Sequence, residues 1–197
     1  MLGDTAIKGD FEDISIAGDR FFLLKSKGKL YEFKEGKNGG SVGYKSYTTF
    51  LTRDNNAEGL CYDPETNALL IACKDSPGEK YDKMRAIYSF PLSTMTLDSV
   101  PRFLIPVKSI KKLSVENEFH PSGIARHPVT GTFFIIAAKG NIVVEISKDG
   151  TILGQKDLPE NIHIQPEGIA FSKDNTLYIS NESKGKTPVI VIYPMKR

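Results

Sequence analysis

The sequence predicts an all-β protein, a β-propeller of four-stranded antiparallel blades with about four blades present. Two observations lead to this fold class. At four places an acidic residue or a serine lies two positions before the apolar residue that begins a short strand. These residues are Glu12, Glu58, Ser122 and Glu167, and their spacings are 46, 64 and 45 residues. Repeats of about 40–50 residues are typical of propeller blades. The apolar runs are short and interrupted by Gly, Asp and Asn, which favours strands and turns over helices.

The repeat divides one domain into four blades, at approximately residues 9–52, 56–108, 120–159 and 165–197. Each blade is expected to contain strands A to D, in the order of the chain. In the first blade these strands are predicted at Glu12–Ala17, Arg20–Lys25, Lys29–Phe33 and Tyr44–Leu51. The one long spacing is attributed to an irregular, Lys-rich stretch from about Asp75 to Phe119.

Strand B of the third blade is almost wholly apolar, from Phe133 to Ala137. A continuous apolar run of this length predicts a strand that is buried on both faces, here between neighbouring blades. Turns at Lys139–Gly140 and Lys148–Gly150 then connect strands B, C and D. The stretch Leu104–Leu113 is the only ambiguous one, and Pro106 argues against a helix there.

Composition agrees with a single domain that buries a core, because 40% of the 197 residues are hydrophobic. The formal net charge is +2, from 26 basic and 24 acidic residues. This balance indicates no electrostatic attraction to nucleic acid. No apolar stretch reaches the ~18–20 residues of a membrane span. The N-terminal sequence carries acids instead of a basic and then apolar signal peptide, so the chain is either cytoplasmic or a mature or truncated form.

Two cysteines, Cys61 and Cys73, are placed on strands A and B of the second blade. If the turn between the strands centres near residues 65–66, Cys61 faces about Leu70 and Cys73 faces about Glu58. The two thiols are then not opposite each other, and they are expected to be free and buried. They say little about the redox compartment.

Four segments together resemble the SdiA-regulated family of bacterial β-propellers, which are distantly similar to NHL-repeat proteins. They read GDFEDISIAGDRFFLLKSKGKLYEF, EGLCYDPETNALLIACK, HPSGIARHPVTG and QPEGIAFSKDNTLYISNE. The resemblance implies a five-bladed propeller with a bound calcium ion, in proteins that are usually exported or attached to the cell envelope. It implies no established biochemical activity.

The chain departs from this family pattern at both ends. It begins at what resembles the second blade, and the last unit ends after its third strand, TPVIVIYPMKR. Residues 1–8 could pair as the missing outer strand of the last blade and close a four-bladed ring. Alternatively the ring is open, with unpaired edges that favour edge-to-edge dimerisation, or the chain is a fragment of a longer protein.

In a propeller the A strands surround the central channel, so the repeated residues are expected to converge at one mouth of that channel. Three carboxylates, those of Glu12, Glu58 and Glu167, would then repel one another unless they are protonated or bridged by a cation. Calcium binds six to eight oxygen ligands in flexible geometry, and no His or Cys occupies the column. The sequence therefore predicts a calcium site, although each Glu could instead face water or pair with a lysine.

A second column is expected where strand B returns to the same mouth. It contains Lys27, Lys74, Lys139 and Glu182, and Asn181 precedes Glu182. Ser122 of the first column is expected to lie at the same mouth. The lysines could simply neutralise the glutamates. Alternatively, these residues line a pocket in which the cation lies at the bottom and the lysines hold an anionic or polyhydroxylated ligand.

Three functions of different classes follow from this prediction. The first is a calcium-binding module for a small molecule, a glycan or a protein, and the second is a metal-dependent hydrolase of the lactonase or esterase type. The third is a purely structural ion in an interaction scaffold. The contexts HPSG and QPEG count against the hydrolase. His120, His127 and His163 are scattered, and they are interpreted as ordinary loop residues, although His120 could reach the mouth.

Overall fold

The computed structural model describes residues 1–3, 7–75, 77–110, 119–182, 185 and 187–194. These residues form four antiparallel sheets, and the strands of each sheet follow the order of the chain. The first blade contains β1 Phe11–Ala17, β2 Arg20–Lys25, β3 Leu30–Lys34 and β4 Tyr44–Tyr47. The second contains β5 Ala57–Asp63, β6 Ala68–Cys73, β7 Met84–Pro91 and β8 Phe103–Pro106. The third contains β9 His120–Arg126, β10 Phe133–Lys139, β11 Ile142–Ile146 and β12 Ile152–Asp157, and the fourth contains β13 Pro166–Phe171, β14 Leu177–Asn181 and β15 Val189–Tyr193.

The four sheets are the blades of a four-bladed β-propeller, which confirms the predicted fold class. The innermost strand of each blade packs beside that of the next, β1 beside β5, β5 beside β9 and β9 beside β13. The first three sheets have four strands, whereas the fourth has three in the described part of the chain. Strand β2 has the predicted bounds, and β1 begins one residue earlier than predicted.

The prediction of an irregular stretch between Asp75 and Phe119 is wrong at two strands. These are β7, which is eight residues long, and β8. The ambiguous stretch from Leu104 is extended up to Pro106 and continues as a single 3-10 turn, Val107–Ser109. Residues 111–118 lie outside the described part of the chain.

The hydrophobic core lies between the blades. One cluster joins the first two blades and contains Phe22, Leu24, Leu69 and Ile71. A second cluster joins the second and third blades, and a smaller one around Ile136, Leu158 and Ile179 joins the third and fourth. Strand β10 contributes to clusters on both of its faces, as its apolar sequence predicts.

The first and fourth blades each leave one apolar face exposed. Ile14 and Ile16 of β1 are 50% and 53% exposed, and Ile190 and Ile192 of β15 are 66% and 54% exposed. The N-terminal segment does not pair with β15 in the described residues 1–3. Leu2 instead forms a bridge with Val42 of the first blade.

Both cysteines are buried free thiols, as predicted. Cys61 pairs in register with Leu70, and Cys73 pairs with Ala57, one residue from the predicted partner. Burial raises the pKa of the Cys73 thiol to about 12. Within the described ranges, the structure contains no helix that is long and apolar enough to cross a membrane.

Candidate ligand site at the channel mouth

Each residue of the predicted inner column is the extra residue of a β-bulge. On β1, Phe11 pairs with Lys25 and Asp13 with Leu24, which leaves Glu12 unpaired between them. The same shift in register leaves out Glu58 on β5 and Glu167 on β13. On β9 it leaves out Ser122. A bulge re-aims a side chain relative to the pleat, so four equivalent bulges direct four side chains towards one end of the channel.

A glycine follows three of these residues, and two of these glycines, Gly59 and Gly123, permit close approach of neighbouring inner strands. A Cβ atom on Gly59 would lie 2.9 Å from the main-chain nitrogen of Ile124. A Cβ atom on Gly123 would lie 2.7 Å from the carbonyl oxygen of Glu167. These distances are shorter than a side chain tolerates, so glycine is required where β5 meets β9 and β9 meets β13.

The first blade carries an aspartate at the position of this glycine. The Asp13 carboxylate accepts hydrogen bonds from the main-chain N–H groups of Leu60, at 2.6 Å, and Ile14, at 2.8 Å. It therefore joins β1 to β5 through a side chain. Burial raises the pKa of Asp13 to about 7, although the two main-chain donors act in the opposite direction.

The bulged glutamates line a cavity of about 880 Å³ at the channel mouth. We call it the mouth cavity, and its lining is strongly polar. The acidic residues of the lining are Asp10, Glu12, Glu58, Asp75, Glu167 and Glu182. The basic residues are Lys27, Arg53 and Lys74, and the neutral polar ones are Ser26, Asn56, Gln165, Ser180 and Asn181. Acids outnumber bases, so the cavity favours a bound cation.

Glu12, Glu58 and Lys74 form the most closely coupled group in the mouth cavity. Lys74 Nζ lies 3.0 Å from Glu58 Oε1, and the side chains of Glu12 and Glu58 share a hydrogen bond. Burial and the charges of Glu58 and Asp10 raise the pKa of Glu12 to about 7. Burial also raises the pKa of Glu58, against the opposing effect of Lys74. A hydrogen bond between two carboxyl groups requires a proton on one of them, and the raised pKa of Glu12 favours Glu12 as the donor.

Glu167 and Glu182 are connected through Gln165. Its side-chain amide donates to Glu167 Oε1 at 2.8 Å and to Glu182 Oε2 at 2.5 Å. Burial raises the pKa of Glu167, and the negative charge of Glu58 raises it further. Burial alone would lower the pKa of Lys74, but the hydrogen bond and charge of Glu58 outweigh this effect and raise it.

The structure separates the other predicted site residues into two groups. Lys27, Asn181 and Glu182 line the mouth cavity as the sequence predicts. Ser122 is 2% exposed, and its hydroxyl donates to the carbonyl of Pro166 at 2.6 Å, so it joins β9 to β13. Lys139 is exposed at the end of β10, in register with His120, and does not line the mouth cavity.

Two histidines lie nearer to this region than their loop positions suggested. His120 Nδ1 lies 3.3 Å from Asp75, an acid of the cavity lining. His163 is fully buried, with Nδ1 at 3.3 Å from Asn181 Oδ1 and Nε2 at 2.6 Å from the Tyr193 hydroxyl. Burial lowers the pKa of His163, so it acts as a neutral bridge that holds Asn181 at the cavity wall.

The lining residues supply the oxygen atoms that a hard cation binds, but these atoms are not close enough together to coordinate one. Carboxylate and amide oxygens are the ligands that calcium prefers. As the side chains stand, however, the described residues contain no group of three His, Cys, Asp or Glu side chains arranged to hold a metal ion. Lys74 contributes its positive charge beside Glu58 instead. A bound cation would require the carboxylates to rotate inward and Lys74 to move away.

Comparison with solved structures places the chain among propellers. It is similar to a streptogramin B lyase, with a TM-score of 0.51, 16% identity and coverage of 95% of this chain and 55% of that one. It is also similar to a protein of unknown function from Bacteroides thetaiotaomicron, with a TM-score of 0.58, 13% identity and coverage of 87% and 42%. The WD40 repeats of RRP9 give a TM-score of 0.56 at 11% identity, with coverage of 94% and 55%.

At these identities the likeness shows the fold alone. The chain spans about half the length of these three structures. A search of curated proteins finds no match. The family model described as SdiA-regulated matches residues 5–184, and the chain therefore belongs to the SdiA-regulated family.

Proposed function

We propose that this chain is a ligand-binding module whose mouth cavity binds calcium together with a polar ligand. The observation that carries the proposal is the set of equivalent bulges at Glu12, Glu58 and Glu167. They bring three carboxylates from three separate blades to one cavity. A propeller needs no such residues to fold, since the fourth bulge carries a serine that makes an ordinary interstrand hydrogen bond.

The electrostatics of the mouth cavity support a cation there. The pKa values of all three glutamates are raised, which means that their charged forms are unfavourable in the folded chain. A divalent cation would remove this penalty, because it stabilises the carboxylates in their charged form. Calcium is preferred over magnesium since its flexible coordination tolerates ligands from three different strands.

The ligand is expected to be anionic or polyhydroxylated, such as a sugar acid or a glycan. The cavity of about 880 Å³ is large enough for a small molecule beside the ion. Lys27 and Arg53 lie on its wall, and Asn181 adds an amide. Oxygen atoms of such a ligand could complete the coordination of calcium, while the basic side chains hold its negative charge.

A thermal melt of the purified chain in EDTA, calcium or magnesium tests the ion. Calcium that binds only the folded chain stabilises it by about 2.7 kcal/mol at 100 times the dissociation constant. For a chain of this length that corresponds to a rise of roughly 5–11 °C in Tm. Magnesium is expected to give a clearly smaller rise.

The matched variants are Glu167→Gln and Glu182→Gln. Both remove one negative charge from the same cavity, but only Glu167 occupies a bulge. Glu167→Gln is expected to lose most of the calcium response, whereas Glu182→Gln keeps it. No response in the wild type, or equal losses in both variants, would overturn the calcium site. The hydrolase alternative stays a prediction, for which a panel of lactones and esters is the test.

A further inference from the structure

One basic residue of the mouth cavity, Lys74, lies among the three bulged glutamates. Its Nζ atom lies 3.0 Å from Glu58 Oε1, and the two side chains are 27% and 8% exposed. Burial raises the pKa values of Glu12 and Glu167, and the positive charge of Lys74 opposes this rise. The ammonium group of Lys74 therefore interacts with carboxylates from three different blades.

The main chain holds Lys74 at this place. Its N–H group donates to the carbonyl of Asn56 at 2.8 Å, directly before β5. The preceding residue, Cys73, pairs in register with Ala57, and Glu58 is the bulged residue that follows Ala57. The ammonium group and the carboxylate thus extend from neighbouring positions of β6 and β5. Lys74 is a cation that the fold tethers beside a bulge.

The fold does not require a lysine at this position. The residue that directly follows β2 or β14 makes the same main-chain hydrogen bond as Lys74. Ser26 donates to the carbonyl of Asp10 at 3.2 Å, and Glu182 donates to the carbonyl of Gln165 at 2.9 Å. A neutral and an acidic side chain are therefore accepted at the equivalent position of the first and fourth blades. The positive charge in the second blade is explained by the glutamates that it faces.

We propose that Lys74 is a tethered counter-ion, which occupies the cation position of the mouth cavity until calcium displaces it and which reserves that position for divalent cations. The inference rests on the proposed calcium site and adds the residue that sets its affinity and its selectivity. Without calcium, the ammonium group compensates part of the negative charge of the glutamates, so the cavity can form in the absence of an ion.

Charge decides which cation can take the place of the ammonium group. Because Lys74 cannot leave the chain, an entering ion must compensate for the loss of the ion pair with Glu58. A sodium ion brings the same single charge as the group that it displaces, and it gains little. A calcium ion brings two charges and binds six to eight oxygen atoms, so it attracts several carboxylates at once. Competition with Lys74 therefore favours a divalent over a monovalent cation.

Calorimetric titration of the full-length, EDTA-treated chain with calcium tests the inference. It is carried out at about pH 8, where Glu12, with a pKa of about 7, is mostly charged. Lys74→Met keeps the aliphatic part of the side chain and removes the charge. It is expected to bind calcium about tenfold more tightly or better, because like charges repel strongly in a partly buried cavity. Lys74→Arg keeps a positive charge and should bind calcium with nearly the wild-type affinity.

The matched control is Lys27→Met. Lys27 lines the same cavity, but its side chain is exposed. Water and salt screen its charge, so this variant is expected to bind calcium only about twofold more tightly than the wild type. The comparison separates competition at Glu58 from the overall charge of the cavity.

The second readout is the effect of sodium on calcium binding. Calcium affinity of the wild-type chain should be the same in sodium chloride as in choline chloride of equal ionic strength. In Lys74→Met, sodium is free to interact with the glutamates and should weaken calcium binding severalfold. Sodium competition in the wild type would contradict the selectivity that we assign to Lys74, and this result needs no variant to fold.

The titrations distinguish failure of the inference from failure of the proposed function. Equal calcium affinities of the wild type and Lys74→Met would overturn the inference and leave the calcium site standing. Equal gains in Lys74→Met and Lys27→Met would also overturn it. Calcium binding by Lys74→Met alone would support the tethered counter-ion and contradict the proposed function. Absence of calcium binding in both the wild type and Lys74→Met would overturn the proposed function and the inference with it.

Discussion

The strongest expected effect of a single substitution is at Asp63, at the end of the channel opposite the mouth cavity. Its side chain is 2% exposed and lies 2.8 Å from Arg102 and 3.2 Å from Arg126. It also accepts hydrogen bonds from the Thr66 hydroxyl and the main chain of Glu65. Because Arg126 belongs to β9 and Asp63 to β5, this group joins the second blade to the third.

Asp63→Asn keeps the volume of the side chain and removes its charge. Burial alone would raise the pKa of Asp63, but the hydrogen bonds from Thr66 and Arg102 outweigh it and hold the pKa below its ordinary value. The variant leaves two arginines, 20% and 15% exposed, without a buried counter-ion. Loss of one partner from a buried pair costs 3–5 kcal/mol. The partial exposure of the arginines favours the lower end, about 3 kcal/mol, or roughly 6–12 °C in Tm.

The assay is urea and thermal unfolding at pH 7, with Asp19→Asn as the control. Asp19 pairs with a basic residue too, Lys34, but both side chains are about 70% exposed. Loss of this ion pair should therefore leave Tm unchanged within error. Because the pKa of Asp63 is lowered in the folded chain, its contribution to stability is present above pH 4 and is lost as pH falls. A Tm for Asp63→Asn within 2 °C of the wild type would refute the inference that this group holds the two blades together.

Three further substitutions test the inner strands. Because its pKa is raised, Asp13 contributes stability that is largest below pH 4 and is lost as pH rises towards 7, by at most about 4 kcal/mol. Asp13→Asn should therefore flatten the dependence of Tm on pH in EDTA. An unchanged slope would contradict this. Gly123→Ala forces a Cβ atom against a carbonyl of β13 and should lower the free energy of unfolding in urea by about 1–3 kcal/mol. Gly43→Ala, whose Cβ atom would meet nothing within 4 Å, should cost far less. Equal losses would argue against the close approach of β9 and β13. Ser122→Ala removes the hydroxyl that donates to the Pro166 carbonyl of β13, so a loss of about 1–3 kcal/mol is expected. An unchanged midpoint would mean that water replaces the hydroxyl.

The fold could be predicted from local sequence because each strand is short, apolar and bounded by turn residues. Strand β2, between Gly18–Asp19 and a Gly-containing turn, was predicted to the residue. Strands β7 and β8 were missed because Pro and Lys residues interrupt the pattern around them. Their burial depends on contacts with the first and third blades, which no local pattern reports.

The site residues could be predicted only where they occupy equivalent positions of the sequence repeat. The convergence of Glu12, Glu58 and Glu167 follows from their equivalent positions. The bulges that aim them were missed, although the glycine after Glu58 and Glu167 is a usable signal for one. Ser122 was expected to be open to the channel, but its short hydroxyl reaches only the neighbouring main chain. The role of Asp63 could not be predicted, because its arginine partners lie 39 and 63 residues further along the chain.

The most direct test of the calcium site is a crystal structure of the chain grown with calcium, with anomalous diffraction to locate the ion. We expect one ion in the mouth cavity, with oxygen atoms of at least two of Glu12, Glu58 and Glu167 at roughly 2.3–2.6 Å. Lys74 should then have left its position 3.0 Å from Glu58. An ion bound elsewhere, or a mouth cavity in which Lys74 keeps that contact at saturating calcium, would contradict the proposed calcium site.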